Sequence, residues 1–362
     1  MFKNIISKLE IVFIVTLLTI SCQQRNINTN TNSAGKENLF DIDSVEIIHL
    51  GQMAADYLEI NDLFLARPTS IAYHKDDFLL LNDGAETKQL LIIDLKNNTF
   101  CREVAKGRAK NELLYLWDVV VNNDDIFLSS LNEKKGLKME YDPAVRRFVF
   151  AESMMFPQQF MHCSPTNSGY LTFASASSAN RFVVWSEIIE PIDTLGSFPE
   201  EGIINHKYAD NGALQSDFAF SPDGDMMAVA YKNIDYIDLY QRDSLIKRIR
   251  GPRKFEVTVR KDELGNGASM TYVTPLHFSY RSIVASPSGF WAGYIGLKPP
   301  QGMIPTQDMN RIREIYFFDW NGNLQKIYKL ENPIEAFAVN ESSNVMYCLL
   351  DNPEPSIVKY RL

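Results

Sequence analysis

The feature that most limits what this chain can fold into is a unit of four short strands that recurs along it. Its clearest copy is Ser216–Ile249. Phe218-Ala219-Phe220 runs into the turn Ser221-Pro222-Asp223-Gly224, and Met226–Tyr231 follows as a second apolar strand. Asp235–Tyr240 is a third, Gln241-Arg242-Asp243-Ser244 a turn, and Leu245–Ile249 a fourth. Short apolar strands with a turn every eight to twelve residues form an antiparallel meander.

The same pattern repeats on both sides. A first unit runs through Ser70–Tyr73, Phe78–Leu81, Leu90–Asp94 and Thr99–Val104. A second uses Trp117–Val121, Ile126–Ser130, Leu137–Tyr141 and Arg147–Ala151. A third reads as Gln159–Cys163, Tyr170–Ala174, Phe182–Glu187 and Asp193–Phe198. The unit around Phe218 is fourth. Ser282–Ala285, Phe290–Ile295, Glu314–Phe318 and Leu324–Lys329 make the fifth, with Asn321-Gly322 as a hairpin signal. A sixth has three strands, Ala336–Val339, Val345–Leu350 and Ile357–Arg361, and Ser44–Leu50 is the strand available to complete it. Six such units closed by an N-terminal strand predict an all-β, six-bladed β-propeller of four-stranded antiparallel blades. A β-sandwich, or two all-β domains, is the competing arrangement.

The N-terminus carries an address. Lys3 and Lys8 precede the apolar run Ile11–Ile20, which is too short for a bilayer span and ends at Ser21-Cys22. This predicts a signal peptide over residues 1–21, lipidation of Cys22, a polar tether over 22–42 and a propeller domain over 43–362. The membrane is then reached through the lipid alone. About 15 to 20 flexible tether residues reach roughly 20 to 25 Å. Gln23, Gln24 and Arg25 bring no acidic cluster, which favours the periplasm-facing side of an outer membrane over surface exposure.

Charge narrows the partners. The formal net charge is −9, and removing Met1–Ser21 takes away two lysines and one glutamate, leaving −10. No basic stripe is present to neutralise phosphates, so nucleic acid is excluded as a partner. Cys101, Cys163 and Cys348 lie far apart with no metal-like spacing and read mostly as buried thiols.

On these residues the chain resembles the TolB-like six-bladed propeller lipoproteins of Bacteroidetes over roughly residues 40–362. The resemblance rests on Leu18-Thr19-Ile20-Ser21-Cys22, on Arg67-Pro68 before the first unit, and on Gly107-Arg108-Ala109-Lys110-Asn111-Glu112 after its fourth strand. The last segment is similar to the family's Gly-x-Gly-Pro-x-Glu pattern, with Ala109 and Lys110 in place of the second Gly and the Pro. It implies fold and location, and little about activity.

Meander geometry also predicts a working face. Connections from second to third strand, and from fourth strand to the next unit, share one face. They include the long segments Ala105–Leu116, Pro199–Gln215, Gly251–Tyr280 and Lys298–Arg313. Long loops on a rigid scaffold commonly carry binding function. Arg108, Arg253, Lys254, Arg281, Lys298, Arg311 and Arg313 fall there, a set suited to carboxylate, phosphate or acidic-glycan groups. Arg108, Asn111, Glu112, Arg281 and Arg311 are the ligand-binding candidates. The five histidines are scattered, and no catalytic, cofactor or metal motif is present. Asp223-Gly224-Asp225 reads as a turn before a calcium loop. The expectation is a lipid-anchored envelope module that binds an envelope protein, an anionic glycan or a small molecule. The alternative is a propeller hydrolase, lactonase or lyase with a channel-bound divalent metal.

Overall fold

The computed structural model describes residues 37–39, 42, 45–51, 55–75, 77–85, 87–122, 124–131, 133–166, 169–173, 181–196, 213–263, 269–300, 305–351 and 354–362. Residues 1–36, and with them Cys22, lie outside the described residues.

Six four-stranded antiparallel sheets follow one another along the chain as blades. Blade 1 comprises Pro68–His74, Phe78–Asp83, Lys88–Asp94 and Thr99–Ala105. Blade 2 is Asp118–Asn122, Asp125–Ser130, Lys135–Asp142 and Arg147–Met155, and blade 3 is Cys163–Thr166, Gly169–Phe173, Phe182–Trp185 and Pro191–Leu195. Blade 4 is Ser216–Phe220, Met226–Tyr231, Tyr236–Gln241 and Ser244–Arg250. Blade 5 is Phe278–Ser286, Gly289–Leu297, Ile312–Asp319 and Leu324–Ile334. Blade 6 takes Ala336–Asn340, Val345–Leu350 and Ser356–Arg361 from the C-terminal end and Asp56–Tyr57 from the N-terminal end.

Closure from the N-terminus is therefore present, but by a different segment from the one expected. Asp56 and Tyr57 pair antiparallel with Lys359 and Val358, and Leu58 N–H donates to the Ile357 carbonyl at 2.9 Å. Glu46–Leu50 instead runs parallel to Leu324–Ile334 as an extra outer strand of blade 5, with Ile47 opposite Ile327. Leu50 reaches the core between blades 5 and 6, which accounts for the apolar character of that strand. A further strand, Glu37–Leu39, lies parallel to the outer strand of blade 4. The long link Gly251–Tyr280 also differs from a plain loop. It contains a hairpin of Thr258–Glu263 with Ser269–Thr274, whose Val257, Val259 and Val273 pack on Tyr231, Ile234 and Tyr236 of blade 4.

The blades are held together by apolar contacts between their faces. A separate buried cluster fills each of the six junctions, from blades 1 and 2 round to blades 6 and 1. The junction between blades 3 and 4 also holds charge. Asp238, fully buried in blade 4, takes a bidentate pair from Arg248 at 2.6 and 2.7 Å and a hydrogen bond from Tyr231 Oη at 2.8 Å. Arg181, ahead of the third strand of blade 3, donates to Tyr231 Oη and to Ser216 Oγ, tying blade 3 to blade 4. Of the cysteines among the described residues, Cys163 and Cys348 are buried and Cys101 is exposed, all as free thiols.

The closure geometry gives a direct test. Truncation through Leu50 removes the extra strand of blade 5. Truncation through Ile60 also removes the Asp56–Tyr57 pairing and the Ile60 contact with the core between blades 6 and 1. The longer truncation should cost at least about 2 kcal/mol more in urea unfolding. Equal unfolding midpoints would show that Asp56–Tyr57 does not close the ring.

Candidate functional site

Strand direction alternates in each blade, so every inner strand starts at the long-loop face. The six inner strands surround a channel of about 1120 Å³. Its middle is apolar, lined by Ile71, Val119, Phe218, Ile283 and Val339 among others. Its mouth on the long-loop face is polar because Asp118, His162, Asp217 and Glu335 stand at or beside the starts of their inner strands.

Three ion pairs stand there. Asp118, the first residue of its strand, meets His162 Nδ1, just ahead of the inner strand of blade 3. Asp217 pairs with Lys232 Nζ at 2.9 Å and accepts the Ser282 N–H at 3.3 Å. Arg281 binds Glu335, and its second guanidinium nitrogen donates to the Asn310 carbonyl at 2.6 Å. Burial alone would lower the pKa of His162, but the charge and hydrogen bond of Asp118, with help from Asp217, leave it raised. For Asp217, burial would raise the carboxyl; Lys232 and His162 outweigh it and hold it below the usual value.

Arg281 reaches the mouth through a local irregularity. The pairing of Phe278–Ser286 with Gly289–Leu297 shifts register between Tyr280 and Ile283, and Ser282 sits at φ 66°. Such a bulge re-aims side chains. Gly293 makes room for it, because a Cβ there would lie 2.4 Å from the Arg281 carbonyl.

The five expected binding residues do not form one site. Arg281 alone lines the channel. Arg311 is buried and held by Asp308 at 3.2 Å and Asp351 at 2.8 Å. Arg108 and Asn111 are exposed on the link between blades 1 and 2. Glu112 closes that link on itself: its carboxylate accepts the Ala109 N–H at 3.0 Å, and a Cβ at residue 107 would lie 2.0 Å from it. The Gly107–Glu112 segment is thus a structural loop lock. His162, Asp118, Asp217 and Glu335 escaped the sequence reading, since an isolated charge at a strand start carries no motif. Among the described residues, no group of three or more His, Cys, Asp or Glu side chains is placed to hold a metal ion.

A family model described as TolB-like 6-blade propeller-like matches residues 51–342. The chain belongs to the TolB-like six-bladed propeller family. Solved structures agree in fold with this TolB-like chain. A protein of Bacteroides fragilis described as exported has a TM-score of 0.52 at 12% identity, over 87% of this chain and 98% of its own. A member of the DUF4221 family from Bacteroides vulgatus has a TM-score of 0.53 at 10% identity, over 84% and 95%. A search of curated proteins found no relative of this TolB-like propeller.

A buried carboxyl anchors the hairpin loop of this propeller on the same face. Asp235 accepts the Arg253 and Lys254 N–H groups, each at 2.8 Å. Burial pushes its pKa up from 3.8 to about 6, against those hydrogen bonds. The folded protein then binds a proton that the unfolded chain releases, so this group's contribution to stability falls as pH rises from about 4 through 6. In urea unfolding, Asp235→Asn should gain on wild type by up to about 3 kcal/mol between pH 4 and 7. Parallel stability curves for the two proteins would refute the assignment.

Proposed function

We propose that this propeller is a lipid-anchored envelope protein that binds a ligand or a protein partner at the long-loop mouth of its channel. One observation carries the reading: three ion pairs from different blades converge on the mouth of an otherwise apolar channel. A few convergent polar groups at an apolar cavity are the usual make-up of a binding site. Arg281 and Lys232 are each neutralised by an internal carboxylate, so a bound anion has to compete with Glu335 or Asp217.

Arg281→Gln and Lys232→Gln should each weaken capture of an envelope component by about tenfold or more. Arg242→Glu, on an exposed turn of the opposite face, should leave capture unchanged. Equal retention by all three variants, measured by pull-down from envelope extracts, would remove the mouth from the function.

The anchor reading is supported by the apolar run that stops at Cys22. The periplasm-facing leaflet is proposed on the absence of acidic residues just after it. The B. fragilis protein described as exported accords with an envelope address. Cys22→Ala should move the protein out of the membrane pellet and abolish labelling by radioactive palmitate. Labelling that persists in the variant would overturn the anchor.

A further inference from the structure

The link between blades 1 and 2 presents two aromatic residues at the channel mouth. Tyr115 is 44% exposed and Trp117 is 40% exposed, with ring centroids 6.2 Å apart. Both line the channel beside Asp118 and His162. Exposed aromatics grouped at a cavity entrance mark a contact surface.

The loop that carries them is held rigidly by polar side chains of neighbouring strands. Gln89, buried in blade 1, donates to the Leu113 carbonyl at 2.7 Å and accepts the Leu116 N–H at 2.8 Å. Asn82 donates to the Leu116 carbonyl at 2.8 Å. Lys135 Nζ donates to the Ala109 and Glu112 carbonyls, each at 2.7 Å. Trp117 commits its one donor, Nε1, to the Met161 carbonyl at 2.9 Å, which fixes the indole and leaves it no polar atom for a ligand. What this platform offers is an apolar ring surface in a set orientation, with the ordering entropy already lost before binding.

The rim around it is nearly neutral. Asp118, Asp217 and Glu335 face His162, Lys232 and Arg281. A bare anion or cation must break one of these pairs to bind. A neutral polyhydroxyl compound need not, because each hydroxyl donates once and accepts twice, and so can bridge the two members of a pair. Unfilled bonding capacity is available as well. Glu335 is 4% exposed, lines the channel and has an Oε2 with no hydrogen-bond partner; the channel-lining Ser70 Oγ has none either.

An apolar ring face bordered by hydroxyls is the shape of a pyranose. We propose that the mouth is a saccharide-binding site for the end of a neutral hexose-containing glycan. One sugar stacks its C–H face on Trp117, and Tyr115 forms the second wall. Its hydroxyls meet the Asp118–His162 pair beside those rings, and the next sugar extends toward Asp217 and Arg281 across the mouth. The assignment rests on the binding-module reading above and names the ligand class of that same mouth.

The test uses the full chain and an immobilised array of neutral, uronic and sialylated glycans, followed by calorimetry with the best neutral oligosaccharide. Choline and citrate serve as cationic and anionic probes. The expected result is saturable binding of neutral glycans, about tenfold weaker in Trp117→Ala and partly restored in Trp117→Phe. Ile188→Ala, an exposed aliphatic position on the opposite face, should bind like wild type. Thermal midpoints of all variants check folding. A blank array overturns the saccharide assignment, as does selection of acidic glycans, citrate or choline over neutral sugars. Neutral-glycan binding that is undiminished in Trp117→Ala overturns the placement at this mouth. A blank array together with envelope capture that depends on Arg281 removes the saccharide and keeps the binding module. A blank array with no such capture removes both.

Discussion

Leu79, Leu80 and Leu81 follow one another in blade 1 with no exposure at all. Successive strand residues point to opposite faces. Leu80 therefore enters the core shared with blade 2, while Leu79 and Leu81 enter the core shared with blade 6. Leu90 and Ile92 against Leu91 and Ile93 divide in the same way on the next strand. A blade built like this has two apolar faces and cannot stand alone. It needs a neighbour on each side, and only a closed ring supplies one to every blade. At about 25 cal/mol per Å² of apolar surface, an open end between blades would forfeit the burial of a whole face.

The buried charges between blades 3 and 4 work differently. Desolvating Asp238, Arg248 and Arg181 offsets much of what their attraction contributes, so the cluster is a weak source of net stability. Its directional bonds, however, are met only when Ser216 and Tyr231 of blade 4 face Arg181 of blade 3 in one register. Apolar faces tolerate sliding; a guanidinium that must reach two hydroxyls does not. We assign this cluster the fixing of blade register.

The sequence shows the propeller because its turns carry strong chemistry. Ser221-Pro222-Asp223-Gly224 is a turn in the structure, with the Gly224 N–H on the Ser221 carbonyl at 2.8 Å and Asp223 bonded to Ser221 Oγ. Where the signal is weak, the reading shifts. The inner strand of blade 3 starts at Cys163, where the sequence places a strand's end. Asp56–Tyr57 is two residues long and exposed, so no apolar alternation marks it. Glu46–Leu50 does alternate, because Leu50 and Ile48 pack on the core of blades 5 and 6, and it drew the closing role on that strength. At the site, Arg281 was visible as a loop-face cation. Its aim into the channel was not, since it depends on a bulge at Ser282, a residue with no preference for positive φ. Arg311 was equally visible, yet Asp351 from blade 6 takes it out of play.

The mouth follows from the same architecture. Strand interiors are committed to cores, so variable chemistry can enter at strand starts and in the loops that precede them. Asp118, Asp217 and Glu335 occupy such positions, and their cationic partners come from neighbouring blades or links. Each pair already restrains two side chains, and Asp217 is further held by the Ser282 N–H. A ligand arriving there meets groups whose rotamer freedom is already reduced, so less of its binding energy goes into ordering them. Because the charges are paired within the mouth, the −9 of the chain as a whole is not concentrated there. The rings of Tyr115 and Trp117 stand at that same end of the channel, the indole held there by its bond to the Met161 carbonyl.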